Sequence, residues 1–553
     1  MDSSLDNAIL DVVKEVSPSA AFTMGFDDYA GKLFIPSRDN IDTSIRRISD
    51  LKLKAKKDIE RKVLDSLETA LLFDEPQPVL DDLVSAIFVH LVKDHGVNDR
   101  HMLSLLKDGT KAVEASRRRF SQRKVPVGVK VLALYRLGAV FGILDTVKGL
   151  SKNKGVRKAC DELEASVKRF AEMFELVGFG KGEFPNVQRI FKTNGFSLGR
   201  EKFYLHALRK GFDYHESPEE LERKAIAWID EELPRFRKVT ADLAKKLGCK
   251  PVPEDVEKKI NARMKLDSKK LIKTTLELRR VIQRFVNEDV HGINPKYTTT
   301  VLETPQYLTG TIPSGAAGFF DTFTKKPFQL FFQTTDPKRD PSKSVADLMS
   351  LLVHEEYGHC VHHSNSVMGF VGKVPTLQLL PATLLGGPIS EGLSFNRELE
   401  FFEVSKKLEN KGKLTKAERA YVRLMDRYGG LKLVNEELEF FTLGGRLVRF
   451  LRVIGDVRIN TGKQGLIEFI DWAQKYTGIP RPRVYYQLFP AHEGFFPGYA
   501  TNYAVMGQEI RDMQKKIRGD KNRVKFSTYL CSIGFPPRSI YRRMLKDYAK
   551  KLR

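Results

Sequence analysis

The sequence predicts a mainly α-helical protein, a large helical body with one small β-ribbon. Three observations predict it. Apolar residues recur at helical spacing through most of the chain. Proline and glycine fall mostly between those runs. Only the stretch around 294–335 breaks into β-branched and alternating segments. In chain order, 41–73 reads as a charged amphipathic helix or helix pair, and 79–93 as a shorter one after Pro76 and Pro78. The segment 127–150 is more apolar and central. Further helices fit 156–175, 218–247 and 253–287. Within the ribbon, Gly315, Gly318 and Pro327 mark turns between strands, and helical spacing resumes after Ser342.

Length and charge narrow the function classes. A chain of 553 residues buries a sizeable core without staples. It divides into a helical region, 1–290, and a region 291–553 that holds the ribbon and the chemistry described below. Lys plus Arg number 93 against 70 Asp plus Glu, a net charge of +23, which excludes a disordered acidic protein. The basic residues are spread over many helices and no nucleic-acid motif accompanies them. A basic helical nucleic-acid binder with a structural metal is therefore the alternative reading rather than the leading one. The segment FGKGEFPN (179–186) lacks G-K-[ST] and reads as a plain turn.

Cys160, Cys249, Cys360 and Cys531 are far apart and form no CxxC pair, which points to a reducing compartment. The N-terminus, MDSSLDNAILDVVKEV, carries early acids and no long apolar core. Together these predict a cytoplasmic protein. No run reaches ~18 uninterrupted apolar residues. The most apolar one, 127–147, is broken by Lys130, Arg136 and Asp145, so no membrane association is expected.

Four of the eleven histidines lie within LLVHEEYGHCVHH: His354, His359, His362 and His363. Burying several ionisable groups in an apolar helix is costly unless they are paired or bound to metal. A zinc-binding H-E-x-x-H helix sets its histidines four apart on one face. Here His354 and His359 are five apart, a rotation of about 140° in a regular α-helix. A π-bulge near Gly358 absorbs the extra residue. The rival is a regular helix with Glu355, His359 and His363 on one face. Downstream, Glu391 in PISEGLSFNRE reads as a third ligand or, on the bland reading, as a helix-dipole partner. The aromatic stretch FPAHEGFFPGYATNY contains His492, Tyr499 and Tyr503. It is either a packed turn or a source of hydrogen-bond donors to a developing oxyanion.

HEEYGH, SEGLSF and FFPGYATNYAVMG, in this order, resemble the gluzincin metallopeptidases related to thimet oligopeptidase and carboxypeptidase Taq. Within that group they are most like a prokaryotic branch of predicted peptidases with HExx(P)GH and EGW motifs. Leu393 stands where that branch has Trp, and the Pro before G-H is missing. Dipeptidyl peptidase III shares the HExxGH spacing. The resemblance covers roughly 340–550. It implies zinc held by His354, His359 and Glu391, Glu355 as general base, and His492, Tyr499 and Tyr503 as transition-state donors. The implied activity is hydrolysis of peptide bonds in short peptides, as a carboxypeptidase or oligopeptidase, in a deep channel walled by residues 1–290. Hydrolysis of another amide or an ester stays open on the motifs. A substrate strand would pair with the ribbon edge, with Gly315 and Gly318 allowing close approach, or else the ribbon is a plain hairpin. Arg397, Arg446 and Arg481 are the candidates to hold a terminal carboxylate.

Overall fold

The charged run at 41–73 folds as two helices, Arg38–Lys54 and Asp58–Leu72. Each start is capped: Ser37 Oγ accepts from the Asn40 amide at 3.2 Å, and Glu60 accepts from the Lys57 amide at 2.9 Å. The computed structural model describes residues 4–177, 186–263, 265–309, 312, 314–339, 341–380 and 383–552. All of FGKGEFPN except Asn186 therefore lies outside the described residues. The architecture is mainly α with one small sheet. The expected helices at 79–93, 127–150, 156–175 and 218–247 occur as Pro78–Lys93, Val127–Leu150, Lys154–Glu172 and Pro218–Leu247. The expected helix at 253–287 is divided into Pro253–Arg263 and Leu271–Asp289, with Asp267 capping the turn between them.

Val127–Leu150 is long and apolar enough to cross a membrane, yet 61% of its most apolar window is buried against the rest of the chain. Arg136, on its buried side, pairs with Asp81 at 2.8 Å and donates to the Pro490 carbonyl at 3.0 Å. The helix thereby braces the aromatic segment around His492. The largest apolar core draws residues from Phe73 through Val505.

The sheet is more than a hairpin. Strands β1 (Thr299–Glu303), β2 (Gly315–Phe320) and β3 (Phe328–Gln333) run in the order β1-β3-β2, with β1 parallel and β2 antiparallel to β3. Gly315 and Gly318 thus lie inside a strand, not in turns as expected. A Cβ on Gly318 would sit 3.0 Å from the Phe320 ring and 3.1 Å from Phe332, so the bulky strand neighbours demand small residues there.

Four helical stretches frame the chemistry. Ser344 caps Val345–Leu352, which continues through a π-helical stretch, Val353–Cys360, into Val361–Val367. Beside it pack Gly386–Lys407, Leu431–Asn460 and Asn502–Gln514. The second and fourth of these approach closely at Gly392 and Gly507. A Cβ on Gly392 would stand 2.6 Å from Met506 Cβ and 2.9 Å from the Gly507 backbone nitrogen. Backbone cannot yield as a flexible side chain can. Gly392→Ala is therefore expected to lower stability by about 1–3 kcal/mol in urea unfolding. Gly412→Ala, at a site open to 4 Å, serves as the near-neutral control.

Candidate metal centre

Hydrogen bonds from i to i+5 in Val353–Cys360 bring residues five apart onto one face. His354 and His359 consequently lie together, ring centroids 4.9 Å apart and 81° between planes. Glu391 comes from the second turn of Gly386–Lys407 and so is no first-turn dipole partner. Its Oε2 lies 3.7 Å from His354 Nε2 and 3.5 Å from His359 Nε2. All three residues are buried. Donors held about 2 Å from one small cation lie three to four ångström from each other, so this group could hold a metal ion.

The outward atoms of the triad are each tied. His354 Nδ1 bonds Glu398 Oε1 at 2.7 Å, and Arg449 Nη2 donates to the same oxygen at 2.8 Å. His359 Nδ1 bonds Ser390 Oγ at 2.9 Å, and Tyr499 donates to Glu391 Oε1 at 2.9 Å. These partners turn both Nε2 atoms and Oε2 toward one point, the usual role of outer partners around a metal. Glu391 Oε2 is buried with no hydrogen-bond partner, an orphan that a cation would satisfy. The electrostatics agree. Burial pulls the His354 pKa down, but the nearby carboxylates of Glu391 and Glu398 outweigh it and push it up to about 9. Burial opposes the charge on Glu391, yet the two histidines hold it well below the usual carboxylate range. The pocket favours positive charge between those carboxylates.

The adjacent glutamates point to different surroundings. Glu356 is fully buried, accepting from Arg279 Nε at 2.5 Å and Tyr297 at 3.1 Å. Glu355 is half-buried. Among the described residues no hydrogen bond ties its carboxylate, and its charge is felt by His354 and Tyr503. Gly358 matters for reach rather than for flexibility. A Cβ there would stand 2.7 Å from Ser394 Cβ and 2.9 Å from Ser394 Cα, so glycine lets the ligand helices touch.

The regular-helix rival is overturned. His363 is held by Thr322 at 2.9 Å through Nε2 and by Gln329 at 3.0 Å through Nδ1, and His362 Nε2 bonds the Gly534 carbonyl at 2.9 Å. Burial drives both imidazoles down to about 3, so they stay neutral. The aromatic segment does reach the triad. The Tyr503 ring lies parallel to His354 at 6.3 Å, and His492 lies 5.8 Å from Tyr499 and 5.2 Å from Tyr503. His492 Nδ1 bonds the Gln487 carbonyl, which leaves Nε2 as an acceptor. Burial, helped by Arg452, lowers its pKa well below the ordinary value. Of the three side chains only the two tyrosines carry a proton on the side of the triad, and Tyr499 gives its own to Glu391.

The three arginines expected to hold a carboxylate are engaged elsewhere. Arg397 pairs with Glu400, Arg446 with Glu232 at 2.6 Å, and Arg481 with Asp471. Sequence reasoning missed Ser390 and Arg449. Ser390 immediately precedes Glu391, but only the fold turns it toward His359. Arg449 belongs to Leu431–Asn460, and no local pattern points to it.

No protein-family model and no curated protein matches the chain. Solved structures do match. One is a "putative lipoprotein of unknown function" from Shewanella oneidensis, at TM-score 0.66 and 16% identity, covering 99% of this chain and 100% of that one. Another is a "putative lipoprotein" from Colwellia psychrerythraea, at TM-score 0.65 and 12% identity, covering 99% of each chain. At such identities the likeness shows the fold. The cytoplasmic expectation is corrected by these neighbours, both of which are described as putative lipoproteins. Its physical basis was weak: a large core does without disulfides in any compartment.

Removing an outer partner loosens a ligand without deleting it. If the group holds a metal ion, Ser390→Ala and Glu398→Ala are each expected to weaken its binding about 10- to 100-fold in chelator competition. Glu391→Ala is expected to abolish tight binding.

Proposed function

We propose that the chain is a zinc-dependent peptidase of the gluzincin kind, acting on short peptides. The observation that carries the reading is the convergence of His354 Nε2, His359 Nε2 and Glu391 Oε2, each on a residue whose outer atom is already tied. Two imidazoles and a carboxylate on adjacent helices suit zinc. Such an ion, when bound, acidifies a water and polarises a carbonyl.

The protein's own groups supply the rest. Glu355 has a carboxylate with no hydrogen-bond partner among the described residues, next in sequence to a ligand. It would take a proton from the attacking water and return it to the leaving amine. Tyr499 and Tyr503 are phenols whose pKa values burial and the charge of Glu391 hold above the ordinary value. Both keep their protons at neutral pH; Tyr499 gives its own to Glu391 Oε1, which leaves Tyr503 to donate to an oxyanion. His492, neutral with a free Nε2 lone pair, would orient a substrate N–H or a phenol.

Two features support a peptide substrate. Strand β2 is an edge strand, and its Phe319 ring stacks on His363 at 4.8 Å, one helical turn from His359. An extended peptide could pair along that edge. Beside the triad, a cavity of about 210 Å³ is lined by Phe212, Phe319, Leu384, Tyr499 and Phe535, with Glu391 in its wall. Its apolar lining suits a substrate side chain.

With a mixed peptide library and Zn2+, the wild-type chain is expected to cleave, and a chelator to stop it. Glu355→Gln is expected to lose at least about 100-fold in turnover while retaining metal. Tyr503→Phe is expected to lose kcat with little change in zinc content. Normal turnover in Glu355→Gln removes that residue from the base role, and metal-independent cleavage overturns the zinc reading.

A further inference from the structure

Six arginines of the described chain are buried: Arg136, Arg200, Arg397, Arg446, Arg452 and Arg538. Five have a carboxylate within ion-pair distance: Asp81, Glu75, Glu400, Glu232 and Glu216 respectively. Arg452 has none among the described residues. Its Nη2 donates to the neutral amide oxygen of Gln487, its Nε is buried without a partner, and only 7% of the residue is exposed. A buried, uncompensated guanidinium is expensive, which is why the other five are paired.

The surroundings of Arg452 explain where a counter-charge could come from. Its guanidinium lies over the Tyr503 ring, 4.9 Å from the centroid. Its charge is felt by His492, and it feels in turn the charges of Glu391, Tyr499 and Tyr503. Every one of these belongs to the candidate centre. The neighbouring cation, Arg449, is already spent on Glu398. Arg452 is thus the one buried cation in the described chain that faces the site and lacks an acid of its own.

We propose that Arg452 is the recognition residue for a carboxylate on the substrate, and that this site takes acidic or carboxylate-terminated ligands. Guanidinium and carboxylate match as two parallel hydrogen bonds, which makes the pair strong and directional. Tyr503, stacked beneath the guanidinium, keeps it in place. The carboxylate is either the α-carboxylate at a peptide's end or an acidic side chain beside the bond to be cut. The chemistry is common to both, and ligands can separate them. The inference rests on the peptidase reading for the nature of the ligand, but its test does not need turnover.

The test is calorimetric titration of Zn2+-loaded Glu355→Gln protein with three ligands: N-acetyl-Phe-Phe, its C-terminal amide, and N-acetyl-Phe-Asp amide. At least one carboxylate ligand is expected to bind tenfold or more tighter than N-acetyl-Phe-Phe amide. Preference for the first ligand assigns the chain terminus, and preference for the third assigns the acidic side chain. Adding Arg452→Gln is expected to erase that preference while leaving the amide's affinity and the zinc content unchanged. Arg452→Lys is expected to restore part of it. Equal binding of all three ligands, or binding of none, overturns the proposal. So does an equal loss for all three on Arg452→Gln. Should that variant fail to fold, Arg452→Lys takes its place, and an undiminished carboxylate preference in it overturns the proposal. A peptidase reading that fails appears separately, as a carboxylate preference in a chain that cuts nothing.

Discussion

A short π-helical stretch decides whether this chain has a site at all. Five residues separate His354 from His359, and in a regular α-helix their side chains diverge. The i to i+5 hydrogen bonding of Val353–Cys360 brings both Nε2 atoms to the same side, where Glu391 Oε2 meets them. The irregular backbone is accommodated by close packing. Gly358 lies where any Cβ would meet Ser394, so the two ligand-bearing helices touch at that point and the π-turn is held from outside.

Around that turn the protein concentrates buried polar groups and satisfies most of them. Glu356 goes to Arg279 and Tyr297, His363 to Thr322 and Gln329, and His362 to the Gly534 carbonyl. Among the described residues, Glu391 Oε2 has no partner, Glu355 has no hydrogen bond to its carboxylate, and Arg452 has no acid, while Glu356 Oε2, His362 Nδ1 and Ser394 Oγ are further unpartnered atoms nearby. Of these, the groups that gather beside the triad are the ones a bound ion or ligand would satisfy. Here one is an acceptor aimed at the candidate metal point, one a carboxylate next in sequence to a candidate ligand, and one a cation stacked on Tyr503.

The support extends far along the chain. Asp456 accepts from the Gly498 amide at 3.0 Å, Tyr204 at 2.9 Å and Thr501 at 2.8 Å, fixing the turn that delivers Tyr499. Arg200 meets Glu75 and Glu493 in the same buried network, and Arg136 holds Pro490. The N-terminal helices therefore shape the site without contributing a ligand to it.

Residue types and spacing were enough to name the mainly helical class and the candidate metal triad, and the family resemblance added His492 and the two tyrosines beside it. Helical periodicity is a local property, and an H-E…H pair followed by a glutamate leaves few other chemistries open. Even the departure from regular helix was legible, because five-residue spacing fails geometrically without it. The sequence could not say that Gly315–Phe320 is a strand, since glycines there answer to Phe320 and Phe332 rather than to a turn. It could not tell Glu355 from Glu356 by surroundings, nor exclude His363, because both distinctions depend on Arg279, Thr322 and Gln329 arriving from elsewhere. It picked Arg397, Arg446 and Arg481 and passed over Arg452, because charge is visible in a sequence but compensation is not. Whether a cation is neutralised depends on which acid the fold brings within 4 Å, and that is a property of the tertiary structure alone.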